Sequence, residues 1–274
     1  MDVLFYIIIF ISGIFFGSFF TLAVYRIPIG ENITHKHSYC PNCNHKLHVL
    51  DLIPVLSYIF LRGKCRYCGN SIRIRYFLFE ILSGMTFVLL GISMKFSIFT
   101  LDKLSVINYS VTVLYFTALF IIAGIDKEKR YIHKSVLLYG LVVVCSYIIY
   151  LCTLGNTNIY RYVIYLLMMI IWIFVDTFCL INKAESKYFV DILMLCNFFL
   201  LESNCETLIA TVIISIFLIY VVKAYKNIRR KLKKALFVDE SEQKIPLGFY
   251  LSVSNIIVII LTNFVVNYFS NMIK

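Results

Sequence analysis

The sequence predicts an all-α polytopic membrane protein, from its hydropathy, the form of its apolar runs and the placement of its charges. Of the 274 residues, 61% are hydrophobic and only 15% are charged. The apolar runs are continuous, whereas the strands of a membrane barrel alternate polar and apolar residues. A helix needs about 20 predominantly apolar residues to cross the hydrocarbon core of a bilayer. Most of the runs approach or exceed that length, so we expect membrane-spanning helices.

Eight apolar runs follow one another along the chain. The sixth is short for a full crossing and is expected to tilt little or to thin the bilayer locally. The first has no basic segment before it and no small-residue cleavage site, so we expect a retained helix rather than a signal peptide. The runs lie near residues 3–25, 76–94, 106–125, 135–154, 161–181, 188–201, 207–223 and 247–270.

The basic residues are distributed unevenly among the loops between these runs. The first, third, fifth and seventh loops contain 22 of the 26 lysines and arginines. The positive-inside rule therefore places these loops in the cytoplasm and both termini outside. We interpret the net charge of +11 as a topology signal and a surface for membrane lipid, and we expect no nucleic-acid binding. The basic run 226–234 predicts an interfacial extension of a helix.

The first cytoplasmic loop contains two Cys-x2-Cys pairs, Cys40 with Cys43 and Cys65 with Cys68, separated by 21 residues. Four thiolates at such spacing suit the tetrahedral preference of zinc. Two disulfides or four unrelated cysteines are the alternatives, and a reducing cytoplasm disfavours the disulfides. The remaining cysteines are expected to be small buried hydrophobic residues; they are Cys145, Cys152, Cys179, Cys196 and Cys205.

Acidic side chains at or near the predicted cytoplasmic ends of the runs are the candidates for catalysis, because an ionisable group at membrane depth is costly. Two carboxyl groups on different helices can share a proton, and a water held between them can attack a peptide carbonyl. For Asp126 and Glu185 the alternative, which spacing alone favours, is a solvated interfacial carboxylate beside a lysine. A transporter is disfavoured, because the acids leave no relay across the bilayer. The candidates are Glu80, Asp126, Asp176, Glu185 and Asp191.

Several motifs resemble those of the type IV prepilin peptidases, membrane aspartic proteases that also N-methylate the new pilin terminus. Residues 17–28 are similar to the family's GSFLNVVIYRLP, and the four cysteines follow in the family's place. In the same loop, residues 51–57 and 61–66 closely match the corresponding segments of the family. Residues 75–80 resemble the YPxxE stretch, and residues 245–249 resemble IPFGPF. The resemblance spans nearly the whole chain.

The resemblance implies two aspartates at cytoplasmic helix ends. Asp126, with Ile132 six residues later, fits the first motif, D-x5-IP. His133 stands where the motif has proline, and Thr21 replaces the asparagine of the opening motif. Asp126 is therefore predicted to be the first catalytic acid.

The second motif of the family, GxGD-x-K, aligns with residues 182–187 of this chain. Glu185 replaces the aspartate, both glycines are absent, and Lys187 keeps its place. The additional methylene of glutamate moves the carboxyl group, and a displacement of about 1 Å can lower a rate about a hundredfold. We predict Glu185 as the second acid, with Asp191 and then Asp176 as the next candidates.

The resemblance also implies an activity and a location. The expected substrates are type IV prepilins or pseudopilins, cut after a short basic leader at the cytoplasmic face of a bacterial plasma membrane. The expected methyl donor is S-adenosylmethionine, and Glu80 and the zinc loop are candidates for the methylation step. The alternative is a degenerate relative that binds pilin-like or assembly proteins without cleaving them.

Two domains are predicted on this basis. Residues 1–95 form an N-terminal prepilin peptidase domain with a cytoplasmic zinc loop at 26–76. Residues 96–274 form the membrane aspartic peptidase domain.

Overall fold

The computed structural model of the protein describes residues 2–33, 37–155, 159–178, 184–202, 204–234 and 245–272. These residues are mostly helical, and their β structure is limited to isolated bridges in the first loop, so the all-α class is confirmed. The helices are α1 (Asp2–Arg26), α2 (Leu56–Phe60), α3 (Arg75–Ser93), α4 (Lys103–Lys129), α5 (Lys134–Thr153), α6 (Ile159–Phe178), α7 (Ala184–Glu202), α8 (Cys205–Lys234) and α9 (Leu247–Met272).

Within the described part of the chain, seven helices are long and apolar enough to cross a membrane. These are α1, α3, α4, α5, α6, α8 and α9. The sixth predicted run does form a helix, α7, but the charges of Glu185, Lys187, Asp191 and Glu202 interrupt its apolar sequence. Because the parity of the crossings depends on α7, the placement of both termini outside stays a prediction.

The described chain divides into two compact units. The first comprises Met1–Thr117 with Asn263–Lys274, and the second comprises Ala118–Thr262. The division reflects packing alone, and the functional domains 1–95 and 96–274 stay a prediction.

In the first unit, glycines allow the backbones of α1 and α3 to touch. A Cβ on Gly13 would lie 2.7 Å from the Cα of Gly84, and a Cβ on Gly17 would lie 2.7 Å from the Cα of Glu80. This is the small-residue packing typical of membrane helices, where close contact replaces the hydrophobic effect. The hydroxyl of Ser83 also donates to the carbonyl of Gly13. The contact fixes Glu80 against α1.

In the second unit, α7 packs against α5 and α6. The amide of Asn197 donates to the carbonyl of Tyr165 over 3.1 Å, which joins α7 to α6. A Cβ on Gly140 of α5 would lie 2.6 Å from the Cζ of Phe198, so the ring occupies the space that a side chain would need. Such interhelical hydrogen bonds and small residues set helix positions in a membrane. They set the positions of α6, which carries Asp176, and of α7, which carries Glu185 and Asp191.

Candidate functional site

The four loop cysteines come together as one cluster. The Sγ atoms of Cys40, Cys43, Cys65 and Cys68 all lie within 4.8 Å of one another, and those of Cys40 and Cys68 are 3.9 Å apart. Zinc–sulfur bonds of about 2.3 Å put tetrahedral sulfurs about 3.8 Å apart. All four are free thiols, and the backbone N–H of Asn70 lowers the pKa of Cys68 to about 7, which favours the ligand form. The arrangement fits a four-coordinate metal and not two disulfides.

The two Cys-x2-Cys pairs adopt the same local fold. The N–H of Asn44 donates to the carbonyl of Cys40 over 2.8 Å, and the N–H of Gly69 donates to that of Cys65 over 2.9 Å. Asn44 and Gly69 both take left-handed conformations, with φ of 56° and 70°. Glycine and asparagine are the residues that tolerate this region, so the sequence favours both turns.

Asp51 fastens the second pair to the segment between the pairs. Its carboxylate accepts hydrogen bonds from Arg66 Nε at 2.7 Å, from the Tyr67 hydroxyl at 2.9 Å and from the His48 N–H at 3.2 Å. Burial alone would raise the pKa of Asp51, but these donors outweigh it and the pKa is lowered. The ring of Tyr67 lies 3.7 Å from that of His45, centroid to centroid, so one side chain links both pairs.

Glu80 holds a turn of the same loop. Its Oε2 accepts the backbone N–H of Val55 over 2.7 Å, and the Ser18 hydroxyl also hydrogen-bonds the carboxylate. Val55 has φ of 63°, and the N–H of Leu56 donates to the carbonyl of Pro54 over 2.6 Å, which defines a γ-turn. A β-branched residue is strained in this conformation, so Glu80 stabilises a costly turn. Its predicted part in binding a methyl donor stays a prediction.

Asp126 lies near the end of α4 with its side chain fully buried. Its Oδ2 accepts the backbone N–H of Phe249, in the first turn of α9, over 2.8 Å. The hydroxyl of Tyr188, on α7, also hydrogen-bonds the carboxylate and accepts the N–H of Gly248 over 3.3 Å. Its Oδ1 is buried and has no hydrogen-bond partner among the described residues. One oxygen is thus held by the protein, and the other is left for a different group.

The approach of Asp126 to α9 depends on a glycine. A Cβ on Gly248 would lie 3.1 Å from both the Cγ and the Oδ2 of Asp126. The ammonium group of Lys127 lies 4.6 Å from the centre of the Phe249 ring, which adds a second contact between α4 and α9. The motif at 245–249 therefore contributes directly to the surroundings of the first acid.

Asp176 and Asp191 form a second acidic group in the same unit. The side chain of Asp176 is 2% exposed and forms an ion pair with Lys134, and Asp191 is 3% exposed. The charges of Asp176, Lys134 and Lys187 all act on Asp191. Each aspartate retains a buried Oδ1 without a hydrogen-bond partner in the part of the chain that the structure describes. The ends of α6 and α7 thus bring two carboxyl groups into one neighbourhood.

Glu185 lies in the first turn of α7, but its side chain falls outside the described residues, as do Asn182 and Lys183 of the same motif. The described hydrogen-bond partners of Asp126 are Tyr188 and the backbone of Gly248 and Phe249, and none of them is a carboxylate. The pairing of Asp126 with Glu185 therefore stays a prediction.

Sequence reasoning missed Tyr188, Gly248 and Phe249 as neighbours of the first acid. A signal was present for two of them, because residues 245–249 match a family motif, although that motif alone gives no contact. Tyr188 had only its position next to Lys187. The three residues reach Asp126 from helices that begin 58 or more positions further along the chain.

Comparison with known proteins supports the resemblance. Residues 11–94 match the bacterial peptidase A24 N-terminal domain. A prepilin leader peptidase/N-methyltransferase of Klebsiella pneumoniae is 34% identical over 128 residues, which cover 44% of this chain and 52% of the relative. Proteins of the same name from Myxococcus xanthus and Bacillus subtilis are 40% identical over 84 residues and 32% identical over 134.

The matched regions cover 31% of this chain and 25% of the relative for the Myxococcus protein, and 49% and 50% for the Bacillus protein. The chain thus spans about half, or less, of the length of the curated relatives it matches. No solved structure matches the chain. The resemblance to the prepilin leader peptidases is confirmed, and it is firmest over the N-terminal third.

Proposed function

Because residues 11–94 match the bacterial peptidase A24 N-terminal domain, we propose that this protein is a prepilin leader peptidase. It cleaves the leader of type IV prepilins or pseudopilins at the cytoplasmic membrane face and N-methylates the new terminus. The observation that supports this most is the state of Asp126, whose buried carboxylate has one oxygen held by donors and the other unpartnered. A water-activating acid needs such a fixed yet available oxygen.

Asp126 and Glu185 are the proposed acid pair. Helical spacing places residues 185 and 188 on the same face of α7, and Tyr188 of that face hydrogen-bonds Asp126. In the reaction, one carboxylate takes a proton from a water whose oxygen bonds to the scissile carbonyl carbon. The other acid then protonates the leaving nitrogen as the carbon–nitrogen bond breaks. Asp191 is the alternative second acid, since it is buried three residues beyond Tyr188.

The thiol cluster is the proposed zinc site. Cys40, Cys43, Cys65 and Cys68 would hold the ion, and a site closed by four thiolates is structural. Zinc would fix the fold of the loop and would take no part in peptide cleavage.

Methylation is proposed from the names of the relatives, which include N-methyltransferase. The methyl donor would be S-adenosylmethionine, and Glu80 with the loop turn that it holds is the candidate region. Membrane lipid surrounds the apolar helices, and the prepilin enters from the cytoplasmic side.

The test of the proposal is cleavage of a prepilin-like substrate in membranes that contain the full chain. We expect the wild type to cleave and Asp126→Asn to lower turnover by about 10²–10⁴-fold. Asp102→Asn is the matched control, because Asp102 is exposed and its oxygens cap the start of α4, a role that asparagine also fills. Equal turnover in Asp126→Asn and the wild type would exclude Asp126 as a catalytic acid.

A second candidate function is supported by the altered second motif. Glutamate replaces aspartate at position 185 and both glycines are missing, so the chain is also suited to bind pilin-like helices without cutting them. In that case the wild type would retain a prepilin-like substrate during purification and leave its leader uncut. Cleavage that depends on Asp126 excludes this alternative.

A further inference from the structure

We propose that Tyr188 and the first turn of α9 hold the Asp126 carboxylate, α9 through Oδ2, and thereby present Oδ1 to the reacting water. Tyr188 and Gly248 are then positioning residues, since they act on the reaction through Asp126. The inference rests on the proposed peptidase function and deepens it, because it assigns separate roles to the two oxygens of the first acid.

The orientation of the Tyr188 hydroxyl follows from its two contacts. The N–H of Gly248 donates to the hydroxyl oxygen over 3.3 Å. A hydroxyl that accepts from one side directs its own hydrogen to another acceptor, and the Asp126 carboxylate is the acceptor in contact with it. The backbone of α9 therefore orients Tyr188, and Tyr188 orients Asp126.

A second donor fixes the same carboxylate. The N–H of Phe249 lies 2.8 Å from Oδ2, in the first turn of a 26-residue helix whose free N–H groups favour negative charge. Gly248 makes this approach possible, because any Cβ there would lie 3.1 Å from the carboxylate.

The two oxygens of Asp126 consequently differ. Oδ2 is occupied by a donor from α9, whereas Oδ1 is buried and has no hydrogen-bond partner in the described chain. A buried carboxylate oxygen without a partner is costly, and a water or a second acid would satisfy it. If the donors were removed, the carboxylate would turn about its Cβ–Cγ bond, and the reacting oxygen would lose its fixed direction.

Single-residue variants separate the parts of this arrangement. Tyr188→Phe removes the hydroxyl and keeps the ring. Phe249→Pro removes the N–H in the first helical turn, where proline is tolerated, and Phe249→Ala removes only the ring. Gly248→Ala adds the Cβ. Turnover number and KM are measured for each with a prepilin-like substrate in membranes, at equal amounts of folded enzyme.

We expect Tyr188→Phe, Phe249→Pro and Gly248→Ala to lower kcat by about tenfold or more without changing KM, because hydrogen bonds to charged groups contribute strongly. Phe249→Ala should stay within about threefold of the wild type, since the backbone donor remains. A variant that only destabilises the fold would lower the yield of folded enzyme and leave its kcat unchanged. Wild-type kcat in both Tyr188→Phe and Phe249→Pro, alongside an inactive Asp126→Asn, would overturn this inference alone. An active Asp126→Asn would overturn it together with the catalytic role of Asp126.

Discussion

The thiol loop (residues 26–76) and the acid site (Asp126, Tyr188, Gly248 and Phe249) are built on opposite principles. The turns of the loop are closed by hydrogen bonds over four residues, from Asn44 to Cys40 and from Gly69 to Cys65. The contacts of the acid site join residues 60 and 123 positions apart. The loop's turns are therefore local structures that a metal can bring together, whereas the acid site exists only once α4, α7 and α9 have packed.

This difference determines what each region tolerates. The two Cys-x2-Cys pairs are exposed at Cys43 and Cys68. Residues next to them can therefore change as long as the four sulfur atoms still cluster. The acid site is buried, and a Cβ at Gly248 is enough to meet a carboxylate. Changes in helix packing should therefore affect the acid site and spare the loop, and the following experiments test that asymmetry.

The largest effect is expected at the second acid. Glu185→Gln should lower turnover by about 10²–10⁴-fold, because the amide can neither give nor take the shared proton. Asp191→Asn should have a much smaller effect, since the described neighbours of Asp191 are Asp176 and two lysines rather than Asp126. Turnover of a prepilin-like substrate is the measurement, and Glu185→Asp, which restores the aspartate of the family motif, should remain active. A reversed pattern would identify Asp191 as the second acid and would show that helix packing, and not the motif, selects it.

The sequence reveals the two regions to different degrees, for the same physical reason. Cys-x2-Cys spacing is itself a local geometry, so the clustering of four thiols could be predicted from Cys40, Cys43, Cys65 and Cys68 alone. Apolar runs of helical length likewise predicted the all-α fold, because burial in lipid leaves few alternatives. The charges of α7 are visible in the sequence as well, and they explain why the sixth apolar run is short.

The surroundings of Asp126 could not be predicted in the same way. Nothing near Asp126 in the chain indicates that a tyrosine 62 residues later and a backbone N–H 123 residues later would reach it. Those contacts depend on how three helices pack, and helix periodicity alone does not determine their relative rotation.

The next effect concerns the metal. Cys40→Ser should weaken zinc binding by more than about a hundredfold, because it removes a ligand, and even outer contacts of metal sites contribute tenfold to a hundredfold. Cys145→Ser, in α5, is the control, since Cys145 lies outside the thiol cluster. Zinc bound per chain is measured after dialysis against a chelator of known affinity. Equal retention by Cys40→Ser and Cys145→Ser would show that the four thiols do not form the site.

A packing change in the second unit tests the asymmetry directly. In Gly140→Ala the new Cβ would lie 2.6 Å from Phe198 Cζ, so we expect a loss of about 1–3 kcal/mol of stability from overpacking. Gly91→Ala is the matched control, because its nearest neighbour would lie at an ordinary 3.4 Å. Unfolding in detergent is followed by circular dichroism, and zinc retention is measured in parallel. Loss of zinc from Gly140→Ala would mean that the loop depends on the helices of the second unit.

The smallest effect is expected from the hydrogen bonds of Asp51, which join the second cysteine pair to the segment between the pairs. Asp51→Asn keeps the shape of the side chain but loses the charge that holds Arg66, so zinc affinity should fall by about tenfold. Tyr67→Phe should lower the affinity less, because it removes one hydrogen bond to Asp51 and keeps the ring packed against His45. Competition with a chromogenic chelator gives the affinity of each variant. An unchanged zinc affinity in Asp51→Asn would show that the thiols and the metal alone join the two pairs. The fold of the loop would then depend on even fewer contacts than its hydrogen bonds indicate.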